Sequence, residues 1–313
     1  MNRKIELSIM SPVYNAQDCV DELVVQLATV AKQITQDFEI VLVEDGSADN
    51  SWKKIQENAL KHPYVHGIRL SRNFGQHLAI SAGLAASKGR FVALMDCDLQ
   101  DDPKYLPEMY KLAQTSDIVL TTKTHRAHGA LRNVLSWTFR LFFNSLRKHR
   151  DTEVRGDIGT YSLLNRKVVN AFLQVKEHHR HYLMVLKWLG FSTAYLQIEH
   201  AKRYAGHSSY NFSKLVAHAI DGITSQSDKL LYLSVKIGFA AFVLSVTSVF
   251  YLVLSYFLYG YKEGWASVMV AILTSTSLVL MSLGVVGIYI GKIFDQAKGR
   301  PLFIIQDEVN DGN

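Results

Sequence analysis

Apolar runs of strand length alternate with helix-period segments through the first hundred positions of this chain. Glu6 to Tyr14 contains LSIMSPVY and reads as a buried strand, broken by Pro12 and Asn15. Asp18 to Gln36 repeats apolar residues at Val20, Leu23, Val24, Leu27 and Ala31, the spacing of one helix face. Glu39 to Val43, EIVLV, is a second strand and runs into Glu44-Asp45-Gly46-Ser47. A helix over Asn50 to Leu60, a strand over Val65 to Leu70, a helix of small residues over Gln76 to Ser87 and a strand over Phe91 to Met95 follow. Strands alternating with helices predict an α/β fold, a Rossmann-like mostly parallel sheet with right-handed crossovers and helices on both faces. In such sheets ligands bind beyond the carboxyl ends of the strands. Asn15, Asp45 and Asp96 all fall there, so one shared crevice is expected.

After Pro107 the pattern loosens. Ile118 to Thr121 reads as a strand. Residues 131–148 and 212–228 read as amphipathic helices, the first interleaving aromatic with basic residues as a membrane surface would favour. His181 to Phe191, with Trp188, reads similarly. Two long apolar runs then appear. No charged residue occurs from Ile237 to Tyr259 or from Trp265 to Gly291. Each could cross about 30 Å of hydrocarbon as a helix rising about 1.5 Å per residue. Lys229 and Lys236 precede the first run, and Lys292, Lys298 and Arg300 follow the second, whereas the intervening loop holds only Lys262 and Glu263. The positive-inside rule therefore places both termini in the cytoplasm of an integral membrane protein. The expected organisation is a catalytic domain over 1–228, a transmembrane hairpin over 229–291 (spans 237–259 and 265–290), and a cytoplasmic tail over 292–313.

The formal net charge of +6 fits anionic lipid headgroups or phosphorylated substrates, and with membrane helices present nucleic acid is not an expected partner. The two cysteines, Cys19 and Cys97, lack metal-site spacing and fit a reducing cytosol. Met1 to Leu7 holds no apolar core of signal-peptide length.

Asp96-Cys97-Asp98 at a strand end carries the main chemical signal. Two carboxylates there can hold a hard divalent cation, Mg2+ or Mn2+, through oxygen, and Gln100 and Asp101 add oxygens nearby. Such an ion would neutralise a departing diphosphate. Glu44, Asp45 and Gly46 offer acceptors and a tight turn for a nucleobase and ribose. The chain has neither G-x-x-x-x-G-K-[ST] nor a G-x-G-x-x-G after its first strand, which excludes a P-loop and argues against a dinucleotide site.

SPVYNAQDC, EIVLVEDGSADNS, LSRNFGQHLAISAGLAASKG and ALMDCDLQDDP, in that order, resemble the family 2 glycosyltransferases of the inverting GT-A fold. RYAGHSSYNFSKL, then DGITSQSDKLL, then two apolar helices, are similar to its polyprenyl-phosphate glycosyltransferases. The resemblance covers nearly the whole chain. It implies transfer of a sugar from a nucleotide-sugar donor to a polyprenyl phosphate, undecaprenyl or dolichyl, at the cytoplasmic membrane face. It places Pro12, Tyr14, Asn15, Glu44, Asp45, Gly46 and Cys97 around the donor, and Asp96, Asp98 and Gln100 on the metal and diphosphate. Arg203 falls near the phosphates, and Lys123, Arg126, Arg132 and Ser208 fall where the lipid phosphate is held. Gly284, Gly287 and Gly291 at small-residue spacing are compatible with a homo-oligomer, which the family often forms.

The chain departs from the family at several places. Thr160 and Ser162 stand where many relatives carry aspartate and arginine, and Asp157 lies three residues earlier as a partial substitute. A phosphate acceptor is already anionic near neutral pH, so the chemistry needs positioning and charge neutralisation more than a base. Ala16, Leu183, Met184 and Ser209 are further departures. Arg180, among His178, His179 and His181, falls at a position expected near the acceptor. Two other readings are a processive polysaccharide synthase, which would need a larger translocating domain and a Gln-x-x-Arg-Trp motif, and a catalytically silent membrane scaffold.

Overall fold

The computed structural model describes residues 5–123, 157–178, 180–199, 229–259 and 264–310. Eight strands form one mixed sheet: β1 (Leu7–Val13), β2 (Phe38–Glu44), β3 (Val65–Leu70), β4 (Phe91–Leu94), β5 (Ile118–Lys123), β6 (Asp157–Asn165), β7 (Thr193–Ile198) and β8 (Ile305–Val309). Their order is β7-β5-β6-β4-β1-β2-β3-β8. β4, β1, β2 and β3 are mutually parallel, as their continuous apolar runs require of strands buried on both faces. β6 enters antiparallel between β4 and β5, and β8 adds antiparallel to β3.

Alternate residues of each central strand feed two cores. On one face Leu7, Ile9, Ile40, Leu42 and Ala93 pack with helices α1 (Val20–Ala31), α2 (Ser51–Lys61) and α4 (Leu106–Leu112). On the other, Met10, Val41, Val43, Val92 and Leu94 pack with α3 (Gln76–Ala86), α5 (Arg166–Gln174) and α6 (Tyr182–Leu189). The small residues of α3 have a packing cause. Gly83 lies so close to the sheet that a Cβ there would collide with the Met10 side chain.

These strands and helices make one compact unit. A second contains α7 (Lys229–Tyr259) and α8 (Trp265–Ala297), which pack against each other. Among the described residues, one stretch is long and apolar enough to cross a membrane: Thr274–Ala297, with mean hydropathy 1.9 and none of it buried.

The stretch expected to be a tail is not one throughout. α8 runs on to Ala297, and β8 docks on β3, where Ser71 N–H donates to the Ile304 carbonyl at 2.9 Å and Asn310 Nδ2 donates to the carbonyls of Ala59 and Val65. Both amphipathic segments, 131–148 and 212–228, lie outside the described residues.

Candidate active site

The chain places β2 and β3 on one side of β1 and returns to place β4 on the other. The strand order reverses there, and sheets of this kind take ligands beyond their carboxyl ends at such a point. Asn15, Asp45 and Asp96 stand at those three carboxyl ends.

The β1 and β2 loops are tied together first. Asn15 N–H donates to Ser47 Oγ at 3.0 Å, and Asn15 Oδ1 accepts from Ala48 N–H at 3.1 Å. Gln17 N–H donates to Asp49 Oδ2 at 3.1 Å, and Gln17 Oε1 accepts from Asn50 N–H at 3.0 Å. Asn15 itself has a left-handed φ of 48°, a conformation asparagine tolerates. Pro12 is buried within β1, and Tyr14 is exposed at its end.

Glu44 and Asp45 turn inward. Glu44 is fully buried, accepts a hydrogen bond from Ser47 N–H, and has Arg69 Nε 3.3 Å from Oε2. Asp45 accepts from Phe74 N–H at 2.7 Å and Gly75 N–H at 2.9 Å. Burial pushes its carboxyl up to about 6, against the pull of those two N–H groups. Both carboxylates, expected to face a nucleoside, also order the loops at this strand end: Glu44 sets the Gly46 turn, and Asp45 holds the β3–α3 connection.

Asp96 sits at the centre. Gln76 Nε2 donates to Oδ1 at 2.9 Å, and Thr160 Oγ1 donates to Oδ2 at 2.8 Å. Asp98 Oδ1 accepts from Gln100 N–H at 3.1 Å, closing the turn in which Leu99 takes a left-handed φ of 55°. That conformation is uncommon for a leucine and is the type of backbone strain found at functional sites. The Cys97 thiol points into the protein. Burial pushes it up to about 12, with the Asp96 and Asp98 carboxylates adding to the rise, so it stays a thiol near neutral pH.

Among the described residues, no cluster of three or more His, Cys, Asp or Glu side chains could by itself hold a metal ion. Asp96 and Asp98 are hard oxygen donors one residue apart and half-buried, a set that fits a divalent cation sharing its coordination with a substrate's phosphates.

Other expected residues are placed differently. Lys123 pairs with Asp157 in the register of β5 and β6, at the end of the sheet's antiparallel insertion. Arg180 is buried: it donates to the Glu177 and Val175 carbonyls and to Ser81 Oγ, and lies over the Phe172 ring. It braces the core and does not face an acceptor. Arg126, Arg132, Arg203 and Ser208 lie outside the described residues. Gln76, whose side chain meets Asp96, is a residue that the sequence reading did not single out. Its signal was the position itself, at the start of α3 directly after the loop that Asp45 holds.

The fold and these carboxylates define an α/β domain with a paired-carboxylate site at a strand end, and the comparisons give its class. The family model for glycosyl transferase family 2 matches residues 8–173, and the chain belongs to that family; it is a glycosyltransferase. It is 33% identical to the "uncharacterized glycosyltransferase YkcC" of Bacillus subtilis, over 98% of this chain and 95% of that protein. It is 30% identical to the undecaprenyl-phosphate 4-deoxy-4-formamido-L-arabinose transferase of Pseudomonas fluorescens, over 96% and 89%. It is also 30% identical to the bactoprenol glucosyl transferase of Shigella phage SfV, over 97% and 99%.

Proposed function

We propose that this chain moves a sugar, with inversion, from a nucleotide-sugar donor to a polyprenyl phosphate at the cytoplasmic face of the membrane. The observation that carries the reading is end-to-end similarity to two transferases named for undecaprenyl phosphate or bactoprenol, on a chain with Asp96 and Asp98 intact at the end of β4.

The acceptor phosphate oxygen attacks the anomeric carbon, and the bond from that carbon to the donor's diphosphate breaks. The phosphate is already anionic, so no side chain has to remove a proton. This accords with Thr160, a neutral hydroxyl, bonded to Asp96 and not poised as a base. Asp96, Asp98 and Gln100 would hold Mg2+ or Mn2+, which supplies charge to offset the leaving diphosphate. The loops joined by Asn15, Asp45 and Gly46 hold the nucleoside. Lys123, Arg126, Arg132, Arg203 and Ser208 provide the lipid-phosphate contacts in this reading.

The membrane topology has a connectivity argument. β3 precedes α7 in sequence, β8 follows α8, and the two pair in one sheet. A chain that leaves this sheet and returns to it crosses a bilayer an even number of times. An even number of crossings supports the reading in which α7 spans together with Thr274–Ala297 as a hairpin over 229–291.

The test is transfer by purified protein in detergent with undecaprenyl phosphate and Mg2+ or Mn2+, across UDP-, GDP- and other nucleotide sugars. A lipid-linked product from one donor supports the reading and names the sugar. Nucleotide binding without a product from any donor would overturn the choice of acceptor; absence of nucleotide binding would favour a silent scaffold.

A further inference from the structure

We propose that Thr160 and Gln76 are positioning residues that hold the Asp96 carboxylate in one orientation, each from its own side. The proposal rests on the reading of Asp96 and Asp98 as the cation and donor-phosphate site.

The register explains the first contact. β4 and β6 pair antiparallel with Leu94 opposite Ser162. Two residues further along the same register, Thr160 stands opposite Asp96. Its Oγ1 donates to Oδ2 at 2.8 Å, while Gln76 Nε2 donates to Oδ1 at 2.9 Å. The terminal torsion of an aspartate is broad, so one donor on each oxygen fixes what rotamer preference leaves loose. Both donors are neutral and orient the carboxylate without cancelling its charge.

Each donor stands on a rigid base. Beneath Thr160, Ser162 Oγ donates to the Thr160 carbonyl at 2.9 Å and shares a 2.7 Å hydrogen bond with the buried Tyr182 hydroxyl. Thr121 Oγ1 donates to the Tyr161 carbonyl at 2.8 Å. Gln76 follows Phe74 and Gly75, whose N–H groups Asp45 holds. A carboxylate at position 160 would instead meet Asp96 with like charge.

The experiment compares the full chain with Thr160→Val, Thr160→Ser, Thr160→Asp and Gln76→Leu in detergent. Mn2+ binding is read from the free-ion EPR signal in the presence of UDP or GDP, alongside steady-state kinetics. Losing one charge-assisted hydrogen bond predicts that Thr160→Val weakens Mn2+ binding and lowers kcat/KM for the donor by about tenfold to a hundredfold. Thr160→Ser should recover to within about threefold, and KM for polyprenyl phosphate should stay within about twofold. Thr160→Asp should fall below Thr160→Val. Gln76 is exposed, so Gln76→Leu carries the test if Thr160→Val fails to fold, with a loss of the same sign.

Wild-type Mn2+ affinity and donor kcat/KM in Thr160→Val would overturn the proposal, as would a Thr160→Ser as impaired as the valine. A wild type that binds Mn2+ yet glycosylates no polyprenyl phosphate would refute the acceptor assignment alone, and the Mn2+ titrations would still decide the clamp. A wild type that binds no Mn2+ with either nucleotide overturns the cation-site reading and the clamp with it.

Discussion

Arg69 on β3 lies opposite Asp307 on β8, its guanidinium 3.7 Å from the carboxylate on one side and 3.3 Å from buried Glu44 on the other. The last strand among the described residues is thereby linked to the turn that Glu44 sets at Gly46. The two contacts should differ in weight. Arg69→Ala leaves the Glu44 carboxylate buried without its cation and should cost about 2–4 kcal/mol, whereas Asp307→Ala removes a half-exposed partner and should cost under about 1 kcal/mol. Urea melts of both variants check this; equal losses would mean that Glu44 does not depend on Arg69.

Asp45 makes stability depend on pH in a direction opposite to the usual carboxylate. Its pKa is raised from an ordinary 3.8 to about 6 by burial, with Glu44 adding and Arg72 opposing. Between those values the folded protein keeps a proton that the unfolded chain has released. The contribution of this group is therefore most favourable below the lower value and declines as pH rises through the upper one, by up to about 3 kcal/mol. Function should run the other way. Protonated Asp45 has one good acceptor for two N–H groups, so donor KM should rise as pH falls below about 6. Asp45→Asn should flatten both profiles while raising donor KM at every pH. Unchanged profiles would assign the titration to another group.

Gly46 has φ of 67°, and a Cβ there would meet the backbone of Arg72 and Asn73. Backbone cannot rotate away as a side chain can. Gly46→Ala should therefore destabilise by about 2 kcal/mol or more and weaken nucleotide binding, read by thermal melting and by titration with UDP or GDP. A stable variant with normal binding would show that the β3–α3 loop moves freely.

Asp98 is half-buried, and its Oδ1 accepts the Gln100 N–H within its own turn. Asp98→Asn should preserve the fold, with a melting temperature within about 3 °C of wild type, yet lower metal-dependent turnover by about a hundredfold or more. Full turnover would remove this carboxylate from the cation site.

The parallel half of the sheet was legible in the sequence. β1, β2 and β4 are largely apolar runs, and α1 and α2 carry helix-period faces, so local pattern and final burial coincide. Asp96 and Asp98 were equally plain, because a carboxylate pair directly after an apolar strand has to lie at a strand end. β6, β7 and β8 were not legible. β6 mixes Asp157, Thr160 and Ser162 with apolar neighbours, and β8 is a short, largely exposed edge strand far along the chain from its partner β3.

Burial also gave some polar residues a structural part that the sequence did not show. Glu44, Asp45 and Arg180 stand out as polar residues in a linear string, and in the fold each also holds protein groups in place. The sequence by itself determined the strand and helix periods and the position of Asp96 at a strand end, because those depend on neighbours a few residues away. The tertiary structure alone decided that Thr160, 64 residues on, meets Asp96, because that contact depends on the register in which β6 pairs with β4.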